Sequence, residues 1–67
     1  MEQVYKVEID FKDNTSAEIE NVTQWEFVAD NKLFLTIDKN YTRNFYNIDE
    51  IIDIEIRVEI IWHQVKN

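Results

Sequence analysis

The sequence predicts an all-β domain, a five-stranded antiparallel meander that curls into a small open barrel. Apolar and polar residues alternate along most of the chain, most strictly from Ile52 to Ile56, where isoleucine alternates with acid. The 67 residues include no Gly and no Pro. Turns must therefore use Asn and Asp, which tolerate left-handed backbone. Such residues separate the alternating segments at 13–15, 30–32 and 38–40, as hairpins require.

Parity predicts how these strands face the core, because a slip of one residue turns every side chain over. Three-residue loops at 13–15, 30–32 and 38–40 bring the apolar residues of successive strands to one face, with Phe11 opposite Ala17. The predicted inward residues, in chain order by segment, are Tyr5, Val7, Ile9 and Phe11; Ala17 and Ile19; Trp25, Phe27 and Ala29; and Leu33, Leu35 and Ile37. The next segment is predicted to place Tyr41 beside Ile37 and Phe45 near Leu33. Phe34 and Tyr46 fall on the opposite face and are predicted surface contacts.

Two short stretches interrupt the alternation. The first, "ENVTQ", predicts a bulge near Asn21 to Thr23 that lets the sheet curl over itself. The second, "NIDEI", predicts a single helical turn capped by Asn47. A curled five-stranded sheet with one helical turn before a long last strand is similar in outline to the SH3-like and Sm-like open barrels. That outline does not specify a function.

The last segment, Ile51 to Val65, has two interpretations. Period-two apolar residues and β-branching favour a strand, whereas Val58, Ile61, Trp62 and Val65 also fit a helical stripe. If the segment is a strand, the consecutive apolar residues Ile60, Ile61 and Trp62 in "EIIWHQV" would expose apolar side chains on both of its faces.

One small domain, 1–67, buries only roughly 60% of its unfolded surface, and small folds usually add a disulfide, a metal or a partner chain. The chain has no Cys and a single His. We therefore expect 58–67 to be an oligomerisation extension of a homodimer or higher homo-oligomer. The predicted interface residues are Ile56, Val58, Ile60, Ile61 and the anchor Trp62. The alternative is that this segment is a tail that folds back on the sheet of its own chain.

The formal charge of −7 and the absence of a Lys/Arg cluster disfavour direct binding to nucleic acid or to an anionic membrane. Cationic partners are favoured instead. No secretory signal and no apolar run of ~18 residues is visible, so we expect a cytoplasmic protein.

Enzymatic activity is not expected. His63 is the lone histidine, and no Cys or Gly-rich loop is present, so a nucleophile with an activating base is missing. Asp38 to Asp49 has oxygen ligands near the spacing of a calcium loop. Arg43, however, occupies the position that demands Gly, and Asp replaces the bidentate Glu. We predict no catalytic residues, no metal and no cofactor.

Outward acids recur on three predicted strands. The predicted partner-binding face consists of Glu8, Asp10, Glu18, Glu20, Asp53 and Glu55. If the first and last strands are neighbours, these acids form one field with ~6.8 Å between alternate residues, close to two ~3.4 Å nucleotide steps of DNA. Such a carboxylate ladder would resemble phosphates to a basic groove. The alternative is a solvated, solubilising face.

Two other classes of function stay open. One is an oligomeric sponge, a protein that sequesters a nucleotide signal molecule between its subunits. It would need Lys32, Lys39, Arg43 or Arg57 to converge with Tyr41, Tyr46 or Trp62 at an interface. A structural or assembly accessory protein is the third possibility.

"FKDNTSAEIENVTQWEF" followed by "LFLTIDKNYTRNFYNIDEIIDIEI" resembles short uncharacterised acidic proteins of phages and prophages of low-GC Gram-positive bacteria. The shared features are an Asp-Asn turn, an "ENV" bend and an "IDEI" turn before a final acidic strand, over about residues 4 to 57. This chain departs from them by lacking turn glycines. The resemblance implies a mobile-element accessory protein that inhibits a host or anti-phage defence protein in the host cytoplasm.

Overall fold

The computed structural model describes residues 2–61, with side chains for residues 3–59. It contains β1 (Glu2–Phe11), β2 (Ser16–Val28), β3 (Leu33–Asp38), β4 (Arg43–Asn47) and β5 (Ile51–Ile61), with a 3-10 turn at Ile48–Glu50. All pair antiparallel in one sheet of order β4-β3-β2-β1-β5. The predicted all-β fold is confirmed. Within residues 2–61 the sheet is not closed, because β4 and β5 form its two edges.

β5 returns to lie beside β1. Ile54 pairs with Ile9 and Ile56 with Val7, so the isoleucines of β5 continue the apolar row of β1. The strand interpretation of the last segment is confirmed as far as Ile61. Trp62 and the residues that follow lie outside the described residues.

The turn between β1 and β2 has the predicted length but begins one residue earlier. The Phe11 N–H donates to the Thr15 carbonyl at 2.9 Å, which leaves Lys12, Asp13 and Asn14 as the loop. Asn14 is left-handed, with φ 69°, as the third residue of such a loop commonly is. Ala17 therefore pairs with Ile9. The predicted pairing of Phe11 with Ala17 is wrong, although the inward face is correct.

The turn between β2 and β3 overturns a prediction. Val28 pairs with Leu33, so the loop has four residues, and its first three are left-handed, with φ values of 54°, 56° and 64°. One extra residue turns β3 over relative to the prediction. Phe34 and Thr36 face the core and are fully buried, so the assignment of Phe34 to the surface is wrong. Leu33, Leu35 and Ile37 lie on the opposite face for the same reason, so their predicted face is wrong, although Leu35 is still buried, with only 7% of its surface exposed.

The turn between β3 and β4 repeats the geometry of the first turn. The Asp38 N–H donates to the Thr42 carbonyl at 3.1 Å, and the loop is 39–41. Tyr41 takes the left-handed position, with φ 64°, and is 86% exposed. Ile37 therefore pairs with Arg43, and the predicted pairing of Ile37 with Tyr41 is wrong.

Because β4 keeps the parity of β3, Tyr46 pairs with Phe34 and lies on the core face. Its predicted surface position is wrong. Phe45 pairs with Leu35 on the opposite face and is 55% exposed, so its predicted inward position is also wrong. The three aromatic assignments, for Phe34, Phe45 and Tyr46, fail together because they depend on one loop length.

The predicted bend and cap are confirmed. The pairing of β2 shifts around Asn21, which is left-handed at φ 58°, and its carbonyl accepts from the Lys39 N–H at 2.9 Å. Asn47 caps the 3-10 turn, since its Oδ1 accepts from the Asp49 N–H at 3.0 Å. At this bend β2 passes from pairing with β1 to pairing with β3.

The bend divides the sheet into two halves. We call β1, β5 and residues 16–20 of β2 the acidic half, and residues 24–28 of β2 with β3 and β4 the aromatic half. The core joins them, because Val7 and Ile9 of the acidic half cluster with Val22 and Phe34. Aromatic contacts extend this junction: the ring centroids of Tyr5 and Trp25 are 4.6 Å apart, and those of Phe11 and Tyr46 are 6.1 Å apart.

Candidate functional site: the acidic face of the sheet

Because β1 lies between β2 and β5, the outward acids of three strands adjoin. Glu8 pairs directly with Glu18 on one side and with Glu55 on the other. Asp10 pairs with Asp53. The structure thus brings the predicted acids into one continuous acidic face, which comprises Glu8, Asp10, Glu18, Glu20, Asp53 and Glu55.

The register of this face opposes folding. Like charges directly across a strand pair destabilise a sheet, whereas opposite charges stabilise it by about 0.2–1 kcal/mol. Here acid faces acid on both sides of Glu8 and again between Asp10 and Asp53. A face that served only solubility could alternate Lys with Glu across the strands and be more stable. The concentration of acids is therefore a feature that solubility alone does not require.

Two cations lie at one end of the acidic face, where Lys6 pairs with Arg57. The Lys6 Nζ lies 2.6 Å from Glu18 and 3.8 Å from Glu8, and the Arg57 guanidinium lies 2.8 Å from Glu55. The hydrogen bond to Glu18 raises the pKa of Lys6. The hydrogen bond to Glu55 likewise raises the pKa of Arg57.

These ion pairs leave the face strongly negative. Six carboxylates against two cations give a formal charge of −4. Neither cation belongs to the Asp10–Asp53 end, since the pairs with Lys6 and Arg57 involve Glu8, Glu18 and Glu55. The side chains are available to a partner, because Glu18 is 53% and Glu55 50% exposed.

The acids form a regular two-dimensional grid. Alternate residues of a strand are separated by ~6.8 Å, and neighbouring strands by about 4.8 Å. Each row thus carries one negative charge for every two nucleotide steps of a DNA strand, at ~3.4 Å per step. Because the acids project from a hydrogen-bonded sheet, ordering their backbone on binding costs no further conformational entropy.

A shallow cavity of about 370 Å³ lies beyond the Asp10–Asp53 end, where the first turn meets the 3-10 turn. It is lined by Phe11, Lys12, Asp13, Thr15, Asp49 and Glu50. The Lys12 N–H donates to the Glu50 carbonyl at 2.8 Å and joins these turns. Hydrogen bonds from Thr15 lower the pKa of Asp13. Sequence reasoning missed this cavity, because the two turns are far apart in the chain.

The predicted oligomer residues occupy different settings. Ile56 is half-buried on the core face, whereas Val58 pairs with Tyr5 and is 56% exposed. Ile60 and Ile61 belong to the backbone of β5, and Trp62 lies outside the described residues. Ile52, which the alternation placed in the same row as Ile54, instead occupies a bulge between Ile51 and Asp53 and is 64% exposed.

The cations required by a nucleotide sponge lie at separate places in residues 2–61, apart from Lys39 and Arg43, which flank the turn that carries Tyr41, since Ile37 pairs with Arg43. Lys32 lies beyond the other end of the six-residue strand β3, about 24 Å from Lys39 at a strand rise near 3.4 Å per residue. Arg57 lies on β5 and is hydrogen-bonded to Glu55. Within the described residues these four cations therefore do not form a single cluster.

Other site types have little support in residues 2–61. No group of three or more His, Asp or Glu side chains is placed to hold a metal ion. No helix in this part of the chain is long and apolar enough to span a bilayer. The oxygen atoms of the calcium-like stretch serve a turn instead, since Asp38 Oδ1 accepts from the N–H groups of Asn40 and Thr42 at 2.8 and 3.0 Å.

Comparison with protein-family models, with curated proteins and with solved structures gives no match.

Proposed function

We propose that this protein is a non-enzymatic protein-binding module whose acidic face occupies the basic, nucleic-acid-binding surface of a partner protein. The observation that carries the proposal is the register of the acids: Glu18, Glu8 and Glu55 lie side by side across three strands, and Asp10 lies beside Asp53. This arrangement disfavours folding, and a basic partner would relieve it by supplying the missing cations.

The partner's chemistry follows from the face. A groove rich in Lys and Arg that binds a phosphate backbone would gain charge-assisted contacts with the carboxylates. Opposite potentials would also accelerate association, which would weaken as salt rises. The protein would then compete with nucleic acid for the groove without binding nucleic acid itself.

The resemblance to phage and prophage proteins suggests the biological setting. We propose that the partner is a host or anti-phage defence protein in the cytoplasm of the host cell. Inhibition by occupation of a binding groove needs no catalytic residue.

The test is capture from a host lysate at low and at high salt, with the bound proteins identified by mass spectrometry. We expect basic nucleic-acid-binding proteins, captured at low salt and displaced by duplex DNA. Capture that is indifferent to salt, or that duplex DNA does not reduce, would refute an acidic face that imitates nucleic acid.

A matched pair of triple variants distinguishes the contribution of the acidic face to binding from that of overall charge. Glu8→Gln/Asp10→Asn/Asp53→Asn reduces the formal charge of the acidic face from −4 to −1 and that of the chain from −7 to −4. Glu26→Gln/Asp30→Asn/Asp49→Asn makes the same change in charge elsewhere. We expect only the first variant to lose the partner by more than about tenfold in affinity. Equal losses would mean that net charge, and not the face, attracts the partner.

A further inference from the structure

The two edges of the sheet differ in how well they are protected. β4 has five residues and ends at the capped 3-10 turn, and short edge strands resist further pairing. β5 has eleven residues. Its segment from Asp53 to Ile61 follows the Ile52 bulge and pairs with β1 without another register shift. No strand of the described part of the chain pairs with the other side of β5, so among these residues that side presents unpaired N–H and C=O groups.

From this edge we propose that two copies of the chain join through β5, antiparallel and related by a two-fold axis at Val58, so that a single sheet runs through both protomers. The inference is independent of the proposed function. A second copy is favoured as the occupant because β5 is complementary to itself in this arrangement.

Parity and charge select the register. Facing residues of an antiparallel pair must share a face, so the two-fold axis passes through a residue position. An axis at Arg57 would place Arg57 opposite itself and Glu55 opposite Glu59. An axis at Glu55 or at Ile56 would place Arg57 opposite an acid, but also an acid opposite an acid.

An axis at Val58 avoids these conflicts. Arg57 of each protomer then lies opposite Glu59 of the other, and no acid faces an acid between Glu55 and Ile61. Val58, 56% exposed in the single chain, lies opposite its own symmetry mate. Ile56 takes the register position opposite Ile60. The axis at Val58 therefore gives the exposed Val58 side chain an apolar neighbour and places Arg57, the one cation of β5, opposite an acid.

The consequence is a larger acidic surface. A two-fold axis perpendicular to the sheet keeps both acidic faces on one side, in the strand order β2-β1-β5-β5-β1-β2. Six strands at about 4.8 Å spacing give a surface about 29 Å wide. Because each chain carries a charge of −7, the protomers repel one another at long range. We expect association to strengthen as salt rises, opposite to the salt dependence of binding to a basic partner.

Sedimentation equilibrium from micromolar to millimolar protein tests the pairing. Arg57→Glu should weaken the dimer at least about tenfold, while Arg43→Glu, which changes the charge equally on the other edge strand, should leave it intact. The double variant Arg57→Glu/Glu59→Arg should restore association, because it re-forms the pair with signs reversed. Circular dichroism checks that each variant is folded.

A monomer throughout, or equal weakening by both single variants, would overturn the dimer. Rescue of Arg57→Glu by Glu55→Arg and not by Glu59→Arg would overturn the axis at Val58.

A cysteine probe gives an independent readout, since the chain has no cysteine. Val58→Cys should oxidise to a disulfide-linked dimer, because facing Cβ atoms lie about 4.5–5.5 Å apart, near the range that a disulfide spans. Thr42→Cys, exposed in a remote turn, is the control. Cross-linking of both variants at equal rates, or of neither, would contradict the register.

Discussion

The acidic and aromatic halves of the sheet are built alike but present different outward faces. Each half contains a hairpin with a three-residue loop whose third residue is left-handed, Asn14 in one and Tyr41 in the other. The outer face of the acidic half carries carboxylates, whereas that of the aromatic half carries Leu33, Leu35 and Phe45, of which Leu35 is buried. Alternation therefore sets the composition of each face, but the length of the connecting loop decides which face packs in the core.

The largest expected effect on stability comes from a substitution in the core that joins the acidic half to the aromatic half. Phe34 is fully buried and clusters with Val7, Ile9 and Val22. Phe34→Ala should destabilise the fold by about 3–5 kcal/mol, most of the stability expected for a chain of this size. Phe45→Ala on β4, where the side chain is 55% exposed, should cost less than half as much. Urea denaturation measures both, and equal losses would contradict the assignment of β3 faces.

Thr36 provides the next test. Its hydroxyl is buried and has no hydrogen-bond partner among the described residues, and an unsatisfied buried polar group costs about 1–3 kcal/mol. Thr36→Val should therefore stabilise the protein by about 1 kcal/mol and raise the Tm by roughly 4–8 °C. Thr42→Val, at an exposed turn position, should change the Tm little. A lower Tm for Thr36→Val would show that the hydroxyl makes a contact the structure lacks.

The two three-residue turns can be compared directly by exchanging their left-handed residues. Asn accepts this conformation, whereas other non-glycine residues lose about 1 kcal/mol or more. Tyr41→Asn should stabilise the fold by about 1 kcal/mol, and Asn14→Tyr should destabilise it similarly. Thermal unfolding of both variants tests the symmetry. If Tyr41→Asn proves neutral, the exposed Tyr41 ring contributes contacts that offset its backbone strain.

The smallest expected effect concerns charge in the acidic half. Asp53→Asn removes the repulsion with Asp10 and should stabilise the protein by roughly 0.2–1 kcal/mol at low salt, with less gain as salt screens the pair. Glu26→Gln is the control in the aromatic half, because Glu26 pairs with Leu35 and not with an acid. Urea titrations at two salt concentrations measure the difference. An equal gain from both variants would mean that overall charge, and not register, limits stability.

Residue patterns predicted the acidic half well. Alternation identified β1, β5 and the first part of β2, and both the acids and their common outward direction follow from parity. The error in the first turn moved the pairing by two residues, which preserves the face. The acidic face was therefore predictable although the pairing of Phe11 with Ala17 was not.

The aromatic half could not be predicted in the same way. Apolar residues occupy consecutive positions from Leu33 to Leu35, so alternation alone is compatible with either face. The decision depended on the loop after Val28, where Ala29 joins Asp30 and Asn31 in a left-handed run. Alanine carries no sequence signal for that conformation. The cavity beside Phe11 was missed for a related reason, since it forms where two distant turns meet.

Local signals specify the strands, the Asn- and Asp-based turns, the bend at Asn21, the Asn47 cap and the outward acids, because each depends on periodicity or on one residue's backbone preference. Two features are visible only in the folded sheet: β1 lies between β2 and β5, so that acid faces acid, and Phe34 joins the two halves. Those features depend on pairing between distant segments, and the balance of burial over the whole sheet selects that pairing.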